Sequence, residues 1–277
     1  MIYVVSNGKV IEKEKLCISP DDHSYRYGDG LFETMKVAEG NILLKQYHFK
    51  RLFSGLQTLK ILKPSSFSEP VIEDAIKELC IKNKCGQLAR VRLSVSRGKG
   101  GLYDCDNKLS YLIECWPLKK TEFNEQGLVI DIYPEARKSL DTFSNLKSAN
   151  YLPYVMASVW ARENKLNDAL ILNSNERICD ATIANIFWVK DKKIFTPPLT
   201  EGCVDGVMRR RILDLGPGVL HFDIEELPLE ASILFEADEI FLTNVITVRR
   251  VSQLRNKKYN SLISRQLFDK IAQTIST

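Results

Sequence analysis

The sequence predicts an α+β protein of two domains. A small N-terminal α/β domain spans 1–117, a linker 118–126, and a larger C-terminal domain, mixing α and β, 127–277. Short runs with strand character, closed by glycine turns, alternate with stretches whose apolar residues recur every three or four positions. Both kinds of run occur on each side of Trp116-Pro-Leu-Lys-Lys-Thr-Glu-Phe-Asn-Glu-Gln126, where proline and charge break every periodicity.

In order along the chain, residues 2–6 and 9–11 read as a hairpin, because Asn7-Gly8 is the strongest two-residue hairpin signal. Residues 31–37 and 41–45 repeat that pattern around Gly40. Between 46 and 62, Phe49, Leu52, Phe53, Leu56 and Leu59 fall at helical spacing, and 70–82 does the same. Residues 88–96 and 109–115 read as strands flanking the flexible Gly98–Gly101 segment. Beyond the linker come a strand at 128–134, a helix at 152–164, and strands at 169–172, 186–189 and 194–196. A helix at 207–215 and a closing helix from 262 complete the reading. No internal repeat or low-complexity segment interrupts it.

The chain has 277 residues, 44% hydrophobic and 27% charged, an ordinary globular composition. Its net charge of +4 is dispersed, which speaks against nucleic acid and for an anionic small molecule. No apolar run reaches the roughly 18 residues of a membrane span, and the N-terminus lacks a signal-peptide core, so a cytoplasmic location is expected. The seven cysteines, with no C-x-x-C pair and only three histidines, indicate neither a disulfide framework nor a zinc site and read as reduced thiols.

Two residues carry chemistry. Lys147, in Asn145-Leu-Lys-Ser-Ala-Asn-Tyr151, is a candidate amine nucleophile, and Asp180, opening Asp-Ala-Thr-Ile-Ala-Asn-Ile-Phe-Trp188, is a candidate buried carboxylate. A pyridoxal phosphate Schiff base needs one lysine, and a protonated pyridine nitrogen needs an anionic partner. A lysine is ordinarily a solvated charge, so context must support the pairing.

Five segments supply it: Tyr25-Arg-Tyr-Gly-Asp-Gly-Leu-Phe-Glu-Thr34, His48-Phe-Lys-Arg-Leu52, Leu146-Lys-Ser-Ala-Asn150, Asp180 to Trp188, and Gly206-Val-Met-Arg209. In this order they resemble the class IV (fold type IV) pyridoxal phosphate enzymes across nearly the whole chain. The resemblance implies a D-amino acid aminotransferase-like fold with a mixed α/β, barrel-like C-terminal domain, pyridoxal 5'-phosphate as cofactor, a small amino substrate and a homodimer. It makes Lys147 the Schiff-base lysine and proton-transfer base. Arg51 would grip the cofactor phosphate, helped by the amides at Val207 and Met208 on a helix N-terminus. Tyr151 would sit near the ring oxygen and Asp180 at the ring nitrogen. Asn244 and Val245 complete the implied cofactor set. Tyr27, Arg92 and Arg97 are the implied substrate-binding residues, with Arg90 sharing a strand face with Arg92. Asp180 departs from the family, which has glutamate there, and one methylene moves the acid by about an ångström.

Within the family, Val204-Asp-Gly-Val-Met-Arg209, Leu242-Thr-Asn-Val245 and Arg97-Gly-Lys-Gly-Gly101 are similar to the 4-amino-4-deoxychorismate lyases, and the aminotransferase Thr-Pro-Val ending is absent around Val248. The lyase reading, aminodeoxychorismate to p-aminobenzoate plus pyruvate in folate synthesis, therefore leads. A branched-chain or D-amino acid aminotransferase is the alternative. A cofactor-binding homologue with weak or no catalysis, suggested by Asp180, is the third.

Overall fold

Asn7 and Gly8, at φ 48° and 82°, turn β1 (Tyr3–Ser6) back onto β2 (Lys9–Glu12) as the hairpin signal requires. The computed structural model describes residues 2–275. It falls into two compact units, Met1–Lys120 with Leu146–Asn150, and Thr121–Asn145 with Tyr151–Thr277. Among the described residues no helix is long and apolar enough to cross a membrane.

In the first unit a short helix, α1 (His23–Tyr27), is capped by the Asp22 carboxylate, which accepts from the Ser24 and Tyr25 amides. Five residues are too few to display a helical period, so the sequence does not announce it. Next come β3 (Gly30–Ala38), β4 (Asn41–Ile42), α2 (Lys45–Thr58), α3 (Glu69–Lys82), β5 (Leu88–Ser96) and β6 (Ser110–Pro117). The expected strand at 41–45 is cut to two residues, because Leu44 takes a left-handed φ of 57° and α2 begins at once. The expected helix at 46–62 ends early for a similar reason: Lys60 has φ 55° and Ile61 N–H turns back to the Leu56 carbonyl.

The strands form one sheet in the order β2-β1-β6-β5-β3-β4. Leu31, Met35 and Val37 of β3, with Ala89, Val91, Leu93 and Val95 of β5, point to one face. There they meet Phe49, Leu52 and Leu56 of α2 and Ile72, Ile76 and Leu79 of α3. The other face of the same two strands carries Phe32, Thr34, Lys36, Arg90 and Arg92, since side chains alternate along a strand.

The second unit is built on a nine-stranded mixed sheet. Its elements are β7 (Leu128–Lys138), α4 (Leu152–Glu163), β8 (Asp168–Asn173), β9 (Ile178–Ala181), β10 (Asn185–Lys190), β11 (Lys193–Thr196), α5 (Val207–Leu215), β12 (Ile224–Glu226), α6 (Ala231–Glu236), β13 (Glu239–Thr243), β14 (Val248–Leu254), β15 (Lys257–Lys258) and α7 (Leu262–Ile275). The order is β12-β11-β10-β13-β14-β7-β8-β9, with β15 on β14. The end strand β9 runs straight into β10 through residues 182–184, and Ala181 N–H donates to the Ala184 carbonyl at 2.8 Å. The sheet therefore curls back on itself, the barrel-like form expected. β13 and β14 escape a reading by periodicity: β13 is buried on both faces and shows no alternation, and β14 carries paired arginines mid-strand.

One segment departs from a division of the chain at 118–126. Leu146–Asn150 belongs with the first unit, because Phe32 N–H donates to the Lys147 carbonyl at 2.9 Å and Ala149 N–H to the Gly30 carbonyl at 2.8 Å. Gly30 has a steric requirement on its other side, from β5, where an added Cβ would lie 2.2 Å from the Val95 backbone oxygen. Backbone cannot swing aside as a side chain can. Gly30→Ala is expected to destabilise by about 2 kcal/mol, read as a lowered urea midpoint at unchanged slope; an unshifted midpoint would contradict the packing described.

Candidate active site

Lys147 lies on the segment laid along β3, half-buried, with its Nζ 4.5 Å from the centroid of the Phe32 ring. The Arg92 guanidinium carbon lies 3.9 Å from the same centroid, and Arg92 Nε donates to Ser94 Oγ at 3.1 Å. Phe32 thus draws two cations to one ring through its quadrupole. On this face of the sheet Lys36 pairs in register with Arg90, and Arg92 with Thr34 and Glu114. Burial pushes the Lys36 ammonium below its ordinary pKa. Arg90 lies over the Trp116 ring.

The opposite face of β3 holds a buried charge cluster. Glu33, 1% exposed, accepts from Arg51 Nε at 2.7 Å and Nη2 at 2.5 Å, and from His48 Nδ1 at 2.6 Å. His48 and Arg51 stand three residues apart on α2 and so share a helix face. Burial alone would raise the Glu33 pKa, but the Arg51 charge and the His48 hydrogen bond hold it down at about 2. Burial lowers the His48 pKa, with the Arg51 and Lys147 charges adding to it against Glu33. The histidine is then neutral, with Nδ1–H donating to Glu33. Its Nε2 is buried without a hydrogen-bond partner among the described residues.

Arg97 and Tyr27 sit together near α1. Arg97 Nε and Nη2 donate to the Asp29 carboxylate, and Nη2 also reaches the Leu59 carbonyl at 2.8 Å. His23 Nδ1 lies 3.0 Å from the same carboxylate and its Nε2 3.1 Å from the Gly101 carbonyl. Tyr27, 45% exposed, packs edge-on against His23. In this conformation Arg97 braces the glycine loop and the end of α2.

In the second unit Asp180, 2% exposed on β9, gathers four donors. Tyr154 Oη at 2.8 Å, Val204 N–H at 2.9 Å and Lys138 Nζ at 3.1 Å donate to Oδ2, and Asn185 Nδ2 donates to Oδ1 at 3.0 Å. Burial and then the Asp180 charge drive the Tyr154 pKa far up, so the phenol keeps its proton and donates. Tyr151 stacks on Tyr154 with centroids 4.3 Å apart and donates from Oη to the Thr182 carbonyl at 2.9 Å. Gly206 caps α5, and its missing side chain is a steric requirement, since a Cβ would fall 1.8 Å from Asn185 Oδ1. Val207 and Met208, both buried, begin the helix, whose first-turn amides point outward along its axis. Asn244 Oδ1 accepts from the Ile246 and Thr247 amides and shapes the turn from β13 to β14, with Val245 buried inside it. Asn244 Nδ2 donates to the Ile183 carbonyl. Tyr151, Asp180, Val207, Met208, Asn244 and Val245 therefore gather at one end of the curled sheet.

Glu33, His48, Lys138, Tyr154 and Asn185 are site residues to which the sequence assigns no role. Glu33 and His48 lie inside two of the quoted motifs, fifteen residues apart on different elements. Lys138 reaches Asp180 only because β7 is bulged: Ile132 pairs with Leu170 and Arg137 with Leu172, five steps against two.

The family model described as amino-transferase class IV matches residues 30–254. An aminodeoxychorismate lyase of Bacillus subtilis (strain 168) is 31% identical over 269 residues, 94% of this chain and 89% of the relative. A putative branched-chain-amino-acid aminotransferase of Methanocaldococcus jannaschii is 29% identical over 244 residues, 86% of this chain and 82% of the relative. The solved branched-chain amino acid aminotransferase of Escherichia coli superposes with a TM-score of 0.87 at 20% identity, over 99% of this chain and 94% of that one, a likeness of fold.

The Glu33 cluster makes an acid-stability prediction. Glu33 ionises at about 2 when folded and near 4.5 otherwise, so between those values the unfolded chain binds the proton that the folded chain refuses. Its contribution, about 3 kcal/mol, is complete above pH 4.5 and is lost as pH falls toward 2. Glu33→Gln leaves Arg51 buried without its counter-charge and is expected to cost about 3–5 kcal/mol at pH 7. Urea titrations at descending pH should show the wild type losing its advantage over the variant; a constant difference would refute the assignment.

Proposed function

The chain belongs to the class IV aminotransferase family, and from that premise we propose that it is a pyridoxal 5'-phosphate enzyme that cleaves aminodeoxychorismate to p-aminobenzoate and pyruvate. One observation carries the choice of substrate. The face of the first unit's sheet beside Lys147 also bears Lys36, Arg90 and Arg92, with the acid Glu114 paired in register with Arg92. Such a face suits a substrate with two carboxylates, whereas a branched aliphatic side chain offers it no charge. The 31% identical lyase and the Val204–Arg209 segment agree with this reading.

The residues present fit the cofactor. Asp180, oriented by Tyr154, Lys138, Asn185 and Val204, is a fixed carboxylate for a protonated ring nitrogen. In the second unit the first-turn amides of Val207 and Met208, at the N-terminus of α5, suit a phosphate, and in the first unit Arg51 is the guanidinium that the family resemblance assigns to it. Tyr151 tunes the ring oxygen from its anchored position. When bound, the cofactor supplies an electron sink for the carbon that loses its proton. Lys147 is the covalent attachment point and then the base that takes the proton from the amine-bearing ring carbon. Arg92 and Lys36 hold the carboxylates so that the neighbouring enolpyruvyl ether bond breaks as the ring aromatises. No water or amino acceptor is consumed. The proposed active form is a homodimer, supported by the exposed Tyr25, Tyr27, Leu102 and Tyr103 around α1 and the glycine loop.

Cofactor-loaded protein given aminodeoxychorismate and no keto acid is expected to release pyruvate, with Lys147→Ala slower by about a thousandfold or more. No pyruvate from aminodeoxychorismate, with amino-group transfer from a branched-chain amino acid to a supplied keto acid, would instead favour the aminotransferase reading that the M. jannaschii relative represents.

A further inference from the structure

Three of the seven cysteines converge in the first unit's core, on the helix side of the sheet, and none of them has a role above. Cys80 lies in the last turns of α3, Cys85 in the loop that follows, and Cys115 on β6. Their sulfurs all lie within 4.8 Å of one another, and all three residues are buried. Cys85 Sγ donates to Cys115 Sγ at 3.4 Å. Asn83 Nδ2 donates to Cys115 Sγ at 3.2 Å and to the Tyr3 carbonyl at 2.8 Å. Cys85 N–H closes the loop onto the Cys80 carbonyl. The spacing of the cysteines in sequence hides this cluster, since its third member arrives from another element.

Ligand charge decides what such a pocket can hold. A divalent ion bound by three thiolates leaves one negative charge in the core, and a monovalent ion leaves two, at high cost without a partner. A trivalent centre bound by three thiolates is neutral. Sulfurs about 2.3 Å from one centre lie roughly 3.4 Å apart when the bond angles approach a right angle, as they do for a lone-pair trivalent element.

We infer that Cys80, Cys85 and Cys115 form a binding site for trivalent arsenic, taken up as the neutral oxyacid As(OH)3. Each thiol gives up its proton and forms one S–As bond, and each displaced hydroxide leaves as water. Arsenic remains trivalent, no oxidant is needed, and As(OH)3 plus three thiols gives the tris-thiolate plus three waters. Cys115 is the hub of the three, accepting from Cys85 Sγ at 3.4 Å and from Asn83 Nδ2 at 3.2 Å. Entry runs through the loop after α3, where Lys84 is exposed at φ 56° and Gly86 has open space around it.

The test incubates folded, cofactor-loaded protein with sodium arsenite and a phosphine reductant, and reads native mass and Tm. One arsenic per chain, accompanied by the loss of three hydrogens, and a raised Tm are expected. Cys85→Ala, a loop variant, and Cys115→Ala should each weaken retention by roughly a hundredfold or more, because a three-armed chelate loses an arm. Cys17→Ala, at an exposed thiol, should change nothing. Melting of the unliganded variants establishes that they are folded. No arsenic on the folded wild type, or equal retention by folded Cys85→Ala or Cys115→Ala, overturns the inference.

Discussion

Two backbone hydrogen bonds, from Phe32 N–H to the Lys147 carbonyl and from Ala149 N–H to the Gly30 carbonyl, decide where the backbone of Lys147 stands. The residues on either side of Leu146–Asn150 belong to the other unit, yet the segment itself is held as an added edge on β3. A lysine on a free loop would average over many rotamers and backbone states. Here the main chain is pinned at the Lys147 carbonyl and the Ala149 amide, so the backbone that carries the lysine keeps one place.

β3 then divides its labour by strand alternation. Phe32, Thr34 and Lys36 face the cation-rich side with Lys147, while Leu31, Glu33, Met35 and Val37 face the helices. Glu33 is the exception in an otherwise apolar row. Its burial is tolerated because Arg51 and His48 saturate it, and in return Arg51 is locked in one orientation. The cluster gains little net stability over an apolar replacement of the same shape, so a role in positioning is the better account of it. Asp180 repeats the same logic in the second unit, with four donors from three elements and a loop fixing one carboxylate.

Legibility followed the physics of each element. The Asn7-Gly8 hairpin and helices α2, α3, α4, α5 and α7 declare themselves, because a turn dipeptide or an amphipathic period is a local signal. α1 is too short to show a period, α6 hides among charged neighbours, and β13 is buried on both faces, so no alternation marks them. Lys147 and Asp180 stand out by motif, but their surroundings do not. The Lys147 anchor depends on a backbone pairing between residues over a hundred positions apart. The Asp180 donors depend on a bulge in β7 that no residue type advertises. The cysteine cluster was invisible for the same reason, since α3 and β6 bring together thiols whose spacing matches no ligand pattern.

The claim on which the account rests is that Lys147 alone carries the cofactor. Borohydride reduction of the cofactor-loaded protein, followed by proteolysis and mass spectrometry, tests it most directly by fixing the link wherever it forms. The account predicts one phosphopyridoxyl group per chain, on the peptide containing Leu146-Lys147-Ser148. The label on another lysine, or spread over several, would contradict it.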